Sequence, residues 1–304
     1  MRRMVPHMAQ GPTILNKVIV LAGRAKKYQI GYLLDLHYSD FWADPGKQTT
    51  PKAWQGMNED ELEAAVYRYT KEVMQTLKDK DLLPEMVQVG NELTNGLLWP
   101  SGRKPEFDRI AKYLNAGIRA VREIQADIPI MIHLDNGGFN EMYVEWFDEF
   151  TKRAEPFDII GLSYYPFWHG TMEDYRDREG KPLDQLKEMA TKPELVEKLD
   201  YPMTKEGQTS FMKDLMELIA DIPGGEGFYY WEPAWIPVPG CGWATEAALA
   251  YIGEKGPGGN EWANQALFDY DGNALPALAV IRDFNRLNCK CKKNINYAVA
   301  RKLI

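Results

Sequence analysis

Gly90-Asn91-Glu92 puts an amide and a carboxylate at the end of a short β-rich run, Met86-Val-Gln-Val89, and the chain then turns through Asn95-Gly96 onto Trp99. A carboxylate can give or take a proton, an amide can bond a hydroxyl, and an indole offers a flat apolar face. That set suits a sugar, which carries hydroxyls around an apolar ring face. Other stretches repeat the plan of an apolar run ending in polar and aromatic groups. Residues 30–37 end in Asp35 and His37, with Trp42 in the loop beyond; residues 130–134 contain His133 and lead into Asp135-Asn136-Gly137-Gly138. Residues 157–166 end at Tyr165 and run into Trp168-His169-Gly170, and residues 228–235 carry Glu232 next to Trp231.

His37 and His133 fit either hydrogen-bonding cleft residues or buried structural ones. With His169 they could suggest a metal site, but no two stand at helical ligand spacing, so metal catalysis is not expected. Trp42, Trp99, Trp168 and Trp231 fall at loops or strand ends and are candidate sugar platforms, whereas Trp54, Trp146 and Trp262 read as packing. The acidic run Glu59, Asp60, Glu61 and Glu63 reads as the solvated first turn of a helix, where negative charge suits the dipole.

The elements that must position these groups alternate. Helical spacing of apolar residues covers 16–28, through Val18, Leu21, Ala22 and Ala25, and 58–77, where Asn58 and Glu61 form a capping-box signature. Further helices are expected at 107–121, 142–153, 208–219 and 276–287, with strands at 30–37, 86–89, 130–134, 157–166 and 228–235. Strand–helix repeats with chemistry at the strand ends predict a parallel α/β fold, most simply a (β/α)8 TIM barrel, whose active sites lie at the C-terminal ends of the strands. The barrel looks incomplete, because five strands are clear and eight are needed. No glycine fingerprint follows a strand, which disfavours nucleotide binding.

The 304 residues allow one large domain, here an irregular segment at 1–15, the barrel at 16–288 and a basic tail at 289–304. A net charge of −8 argues against nucleic acid or an anionic membrane as partner. Cys241, Cys289 and Cys291 are too few for a disulfide framework and read as incidental. No stretch is apolar for long enough to span a membrane. The basic start, Met1-Arg-Arg-Met, is not followed by the apolar core of an export signal, so either the chain is not exported or this is not the natural start.

The motifs Leu36-His-Tyr-Ser-Asp-Phe-Trp-Ala-Asp-Pro-Gly-Lys-Gln48, Val89-Gly-Asn-Glu92 with Asn95-Gly-Leu-Leu-Trp-Pro100, Gly161-Leu-Ser-Tyr-Tyr-Pro166 with Trp168-His-Gly170, and Tyr230-Trp-Glu-Pro-Ala-Trp235 together resemble the endo-β-1,4-galactanases of glycoside hydrolase family 53. The resemblance spans about residues 16–287. It implies a (β/α)8 barrel that cleaves the β-1,4-galactan side chains of pectin with retention, as a monomer acting on a polysaccharide. It also implies that Glu92 is the acid/base, that Asn91 bonds the sugar 2-hydroxyl, and that Asp35, His37, His133, Tyr165, His169, Trp231 and Glu232 line the cleft.

The family pattern is interrupted twice: strands one and two are not recognisable before residue 16, and strand seven is shortened or absent. Lys192-Pro193 with Val196-Glu197 could be a shortened strand seven, making Glu197 the nucleophile. Thr191-Lys-Pro-Glu-Leu-Val-Glu-Lys-Leu reads equally as a helix start. Glu232, which the family pattern places in strand eight as a supporting residue, is the other carboxylate that could replace Glu197, and a retaining pair should stand ~5–5.5 Å apart. If the nucleophile is lost, the chain would be a truncated, inactive relative that binds galactan. No cofactor is implied, and the calcium that some bacterial members hold in the strand-seven loop is doubtful with that segment shortened.

Overall fold

The computed structural model describes residues 14–41, 43–165, 200–202, 204–231, 233–234, 250, 266–269 and 271–291. The chain divides into two compact units, residues 1–165 with 304, and residues 166–303.

The first unit follows the predicted alternation: α1 (Ile14–Lys27), β1 (Leu33–Leu36), α2 (Glu59–Asp79), β2 (Met86–Val89), β3 (Gly96–Leu97), β4 (Gly102–Arg103), α3 (Phe107–Ile124), β5 (Ile130–Leu134), α4 (Asn140–Thr151) and β6 (Ile159–Leu162). Strands β1, β2, β5 and β6 form one sheet in that order, every pair parallel. Strands β3 and β4 make a separate antiparallel pair in the loop after Glu92.

The helices form where apolar spacing and capping agree. Asn58 caps α2 by accepting from the Glu61 N–H at 3.0 Å, while the Glu61 carboxylate accepts the Asn58 N–H at 2.8 Å. Leu62, Val66, Val73 and Leu77 on α2, and Phe107, Ile110, Leu114, Ile118 and Val121 on α3, are buried against the sheet residues Leu34, Leu36, Val87, Val89, Ile130, Ile132 and Leu134. Trp146 is fully buried among Phe107, Phe147 and Phe150, and Trp54 packs edge-on to Tyr69, so both tryptophans are packing residues as expected. The acidic turn of α2 is more than solvated. Glu59 meets Arg109 and Lys112, and Glu63 meets Arg119, exposed pairs that tie α2 to α3 weakly. On α1 the inward face is Leu15, Val18, Ile19 and Ala22, and Leu21 is exposed instead of buried.

In the second unit, α5 (Lys205–Asp221) and α6 (Pro276–Cys291) pack through Met212, Met216, Leu267, Ala277 and Ile281. Phe211, Leu215 and Ile219, expected at the centre of the α5 face, flank it half-buried. α6 runs to Cys291, into the segment expected to be a basic tail from residue 289.

The strand expected at 228–235 does not form over its described residues 228–231, 233 and 234. Phe228 and Tyr230 instead pack on the core of the second unit, and the Leu267 N–H donates to the Pro233 carbonyl at 2.7 Å. A run of aromatic residues also suits an irregular segment covering a core, and such a run makes a strand only where a ladder partner lies alongside. The segment at 191–199, with Glu197, lies outside the described residues, as do Trp262 and Cys241.

Gly117 shows how tightly α3 meets the sheet. A Cβ there would lie 2.7 Å from both the Tyr38 hydroxyl and Val89 Cγ1. Alanine would add ~1 kcal/mol of helix propensity, but overpacking a filled core costs ~1–3 kcal/mol. Gly117→Ala is therefore expected to destabilise by about 1 kcal/mol in urea unfolding, and an unchanged or raised midpoint would contradict this packing.

Candidate functional site

The four parallel strands end side by side, and each delivers a polar group. Their alternate residues, Leu34, Leu36, Val87, Val89, Ile130, Ile132 and Leu134, are taken by the helix side, which leaves Asp35, Gln88 and His133 on the opposite face. Asp35 stands opposite Gln88 in register, and His133 opposite Gly161. A Cβ at Gly161 would come within 2.4 Å of Met131 Sδ and 3.2 Å of His133 Cδ2, so glycine leaves room chiefly for Met131 and, less tightly, for the imidazole.

Glu92 follows β2 in a left-handed backbone conformation, φ 48° and ψ 56°, after Gly90 at φ 84°. For a non-glycine residue that costs on the order of 1–2 kcal/mol. Bonds on both sides offset the cost: the Glu92 N–H donates to His133 Nδ1 at 3.2 Å, and Gln48 Nε2 donates to the carbonyls of Asn91 and Glu92 at 2.8 and 3.1 Å. The strained turn aims the carboxyl across the strand ends to Ser163, just past β6, whose hydroxyl bonds Oε1 at 2.6 Å. Ser163 is itself placed by the sheet, its N–H donating to the Leu134 carbonyl at 3.0 Å and its carbonyl accepting the Gly137 N–H at 2.8 Å.

A network of side chains lies beneath the carboxyl. Gln88 Nε2 donates to Asp35 Oδ1 at 2.8 Å and to Asn91 Oδ1 at 3.0 Å. Asn91 Nδ2 donates to the Ala43 carbonyl at 2.8 Å, which turns Asn91 Oδ1 toward His133 Nδ1, also at 2.8 Å. His133 Nε2 lies 3.1 Å from the Ser163 hydroxyl. Ala43 also donates its N–H to His37 Nδ1 at 2.7 Å, so the His37 proton sits on Nε2, 2.8 Å from Asp35 Oδ2. The loop between β1 and α2 thus buttresses both Asn91 and His37 through the backbone of one residue.

The electrostatics make Glu92 a proton carrier near neutrality. Its pKa is raised to about 7, chiefly because desolvation penalises the carboxylate; the Ser163 hydrogen bond opposes the rise, and the charges of Asp135 and Asp44 add to it. Burial, with the charge of Asp44, lifts Asp135 to about 6, and burial, with His37, pushes His133 down to about 4, so His133 is neutral wherever Glu92 titrates. For His37, burial disfavours charge, but Asp35, by charge and hydrogen bond, with Glu92 and Asp44, outweighs it and holds the pKa above the ordinary value. Protonating His37 would require Nδ1 to give up the Ala43 N–H, so the loop opposes what the carboxylates favour.

Of the residues singled out in the sequence, Asp35, His37, Asn91, Glu92 and His133 come together. Trp99 stands at the loop beyond Glu92, half-buried, its indole N–H bonded to the Asn95 carbonyl at 2.9 Å and one face covered by the Arg103 guanidinium at 4.5 Å. Tyr165 is half-buried two residues past Ser163, and Trp231 belongs to the second unit, where it is exposed. Trp42, Trp168, His169, Glu197 and Glu232 lie outside the described residues. Sequence reasoning missed Gln88, Ser163 and the part played by Asp44 and Asp135. Gln88 did carry a signal, a polar residue between two valines of a buried strand. Ser163 carried none, because a serine at a strand end is commonplace.

Asp135, titrating near 6, is mostly ionised where Glu92 changes charge, so its repulsion is present at that point. Asp135→Asn is expected to lower the Glu92 pKa by a few tenths of a unit to about one unit. A carboxyl 13C titration reads it, and an unchanged or higher midpoint would remove Asp135 from the account.

Comparison with known proteins agrees with this geometry. The model of glycosyl hydrolase family 53 matches residues 4–179 and 179–281. The endo-β-1,4-galactanase of Bacillus subtilis is 34% identical over 90% of this chain and 71% of its own. A probable arabinogalactan endo-β-1,4-galactanase A of Aspergillus terreus is 35% identical over 79% of this chain and 76% of its own. The family 53 catalytic domain of Ignisphaera aggregans superposes with a TM-score of 0.75 at 37% identity, covering 88% of this chain and 77% of that one. The fold is accordingly a (β/α)8 TIM barrel, to which the parallel strands β1, β2, β5 and β6 belong, and the chain is a member of glycosyl hydrolase family 53.

Proposed function

We propose that this chain hydrolyses β-1,4-galactan endo-wise and with retention, in a barrel domain spanning residues 16–288, with Glu92 as the acid/base. The observation that carries the reading is a partly exposed carboxyl at the mouth of a parallel strand whose surroundings raise its pKa to about 7. A group poised there can lend its proton and take it back at neutral pH. That Glu92 is so completely supported favours the catalytic reading over a truncated relative that binds without cleaving.

In the first step Glu92 gives its proton to the leaving glycosidic oxygen as a second glutamate attacks the anomeric carbon and forms a glycosyl ester. Water then attacks that carbon, Glu92 takes its proton, and the ester breaks with the configuration retained. We read Glu197 as the attacking residue, with Glu232 as the replacement. Asn91 has spent one Nδ2 hydrogen on Ala43 and keeps the other for the sugar 2-hydroxyl, a bond that strengthens as charge develops. We read Trp42, Trp99, Tyr165, Trp168, His169 and Trp231 as residues that bind sugar units. We read the chain as a monomer acting on polysaccharide, with no cofactor in the reaction.

Glu92→Gln is expected to cut the release of reducing ends from galactan by ~10²–10⁴-fold, the usual contribution of a positioned general acid. Activity near wild type would sink the assignment, and galactan bound but uncleaved by the unaltered protein would sink the function. Because the first step needs protonated Glu92, kcat/KM should fall as the pH rises through about 7. A profile that stays flat well above neutrality would separate Glu92 from the proton transfer.

A further inference from the structure

An acid/base that alternates between carboxylic acid and carboxylate changes its hydrogen-bonding character as well as its charge. A partly buried carboxyl cannot leave that adjustment to water alone, so a protein partner must reverse with it. Ser163 can do so, because a hydroxyl both donates and accepts, but its own hydrogen then needs a second place to go.

His133 supplies that place. When Glu92 is ionised, the Ser163 hydroxyl donates to Oε1 at 2.6 Å and accepts from His133 Nε2–H at 3.1 Å. Nδ1 is then bare, and the backbone N–H of Glu92 at 3.2 Å and Gln88 Nε2 at 3.3 Å can both donate to it. When Glu92 carries a proton on Oε1, it donates to Ser163, whose hydrogen turns to Nε2. The ring proton is then on Nδ1 and donates to Asn91 Oδ1 at 2.8 Å. Each tautomer satisfies a different neighbour of Nδ1: the bare nitrogen accepts the Glu92 N–H, and the protonated one donates to Asn91 Oδ1, so the surroundings accommodate both forms.

We propose that His133, acting through Ser163, is a positioning residue whose tautomer follows the protonation state of Glu92, Nδ1–H with the acid and Nε2–H with the carboxylate. The proposal rests on the acid/base role of Glu92. Between the two states one proton leaves, from the carboxyl. The ring loses a proton at Nδ1 and gains one at Nε2 by exchange with solvent, and it stays neutral throughout. Burial keeps it so, despite the pull of Asp35 toward the charged form, and His37 works in the same direction as burial. The other groups that face the pair are Asp44, from the loop after β1, and Asp135, at the end of β5. The Nδ1–Asn91 contact at 2.8 Å favours the Nδ1–H state, and the Glu92 N–H at 3.2 Å from Nδ1 favours the Nε2–H state.

The chain has four histidines, few enough to resolve by 15N NMR of the free, full-length protein, with His133→Asn to assign the signals. Between about pH 5 and pH 9, where His133 is neutral, its two ring nitrogens should exchange protonated and bare chemical shifts. The midpoint should coincide with that of the Glu92 carboxyl followed by 13C. In Glu92→Gln the tautomer should stay constant. In Ser163→Ala it should no longer follow Glu92, whose own midpoint should rise by roughly one unit on loss of the hydroxyl that stabilises its charge. Ser163→Thr should restore both. A tautomer constant through the Glu92 titration, a ring that becomes charged there, or coupling that persists in Ser163→Ala would overturn the proposal. No substrate is present in this experiment, so a failure to cleave galactan would strike the proposed function and leave the titration to be judged separately.

Discussion

A carboxyl drawn out of water keeps its proton longer, and in this protein that one effect governs what the site can do. Desolvation is the largest influence on Glu92, and the neutral Ser163 hydroxyl only partly offsets it. A lysine or arginine in place of Ser163 would have held the carboxylate ionised and useless as an acid. The surrounding carboxylates Asp135 and Asp44 push the same way as burial. Burial and negative charge therefore raise the Glu92 pKa against the opposing pull of Ser163 and His37.

Holding a carboxyl in that state requires a rigid frame. The left-handed turn at Glu92 is unfavourable alone and persists because Gln48 grips its carbonyl and His133 its N–H. Those two residues come from different elements, a loop and a strand, so the turn is stable only when the sheet has formed and the loop has closed over it. Ala43 extends the same dependence, since its carbonyl orients Asn91 and its N–H fixes the His37 tautomer. Beneath, α2 and α3 fill the other side of the strands closely enough that Gly117 has no room for a side chain, and the strand ends inherit that precision.

Membership of glycosyl hydrolase family 53 and the raised pKa of Glu92 are independent observations. The family relation supplies a sugar chemistry, and the structure supplies the physical reason Glu92 can perform the proton half of it. Neither depends on the other: the raised pKa follows from burial and charge, whatever the substrate.

Much of this was legible in the sequence. The strand–helix alternation of the first unit, the capping box at Asn58 and Glu61, and the buried faces of α2 and α3 are local patterns, written in spacing that the chain must satisfy wherever it folds. So was the prominence of Glu92, because a carboxylate ending a buried strand is costly without a use. The strand expected at 228–235 does not form over its described residues because strand pairing is settled by a neighbour, and a β-prone aromatic run is only permission. Gln88, Ser163 and Asp135 went unnamed as site residues because their value lies in contacts 45 to 71 positions away, between His133 and Gln88 or Ser163 and Glu92. Sequence by itself determined which segments become helices and strands and which carboxylate ends up at a strand mouth. Tertiary structure alone decided that this carboxylate titrates near neutrality, because desolvation and hydrogen bonding belong to neighbours that only folding brings together.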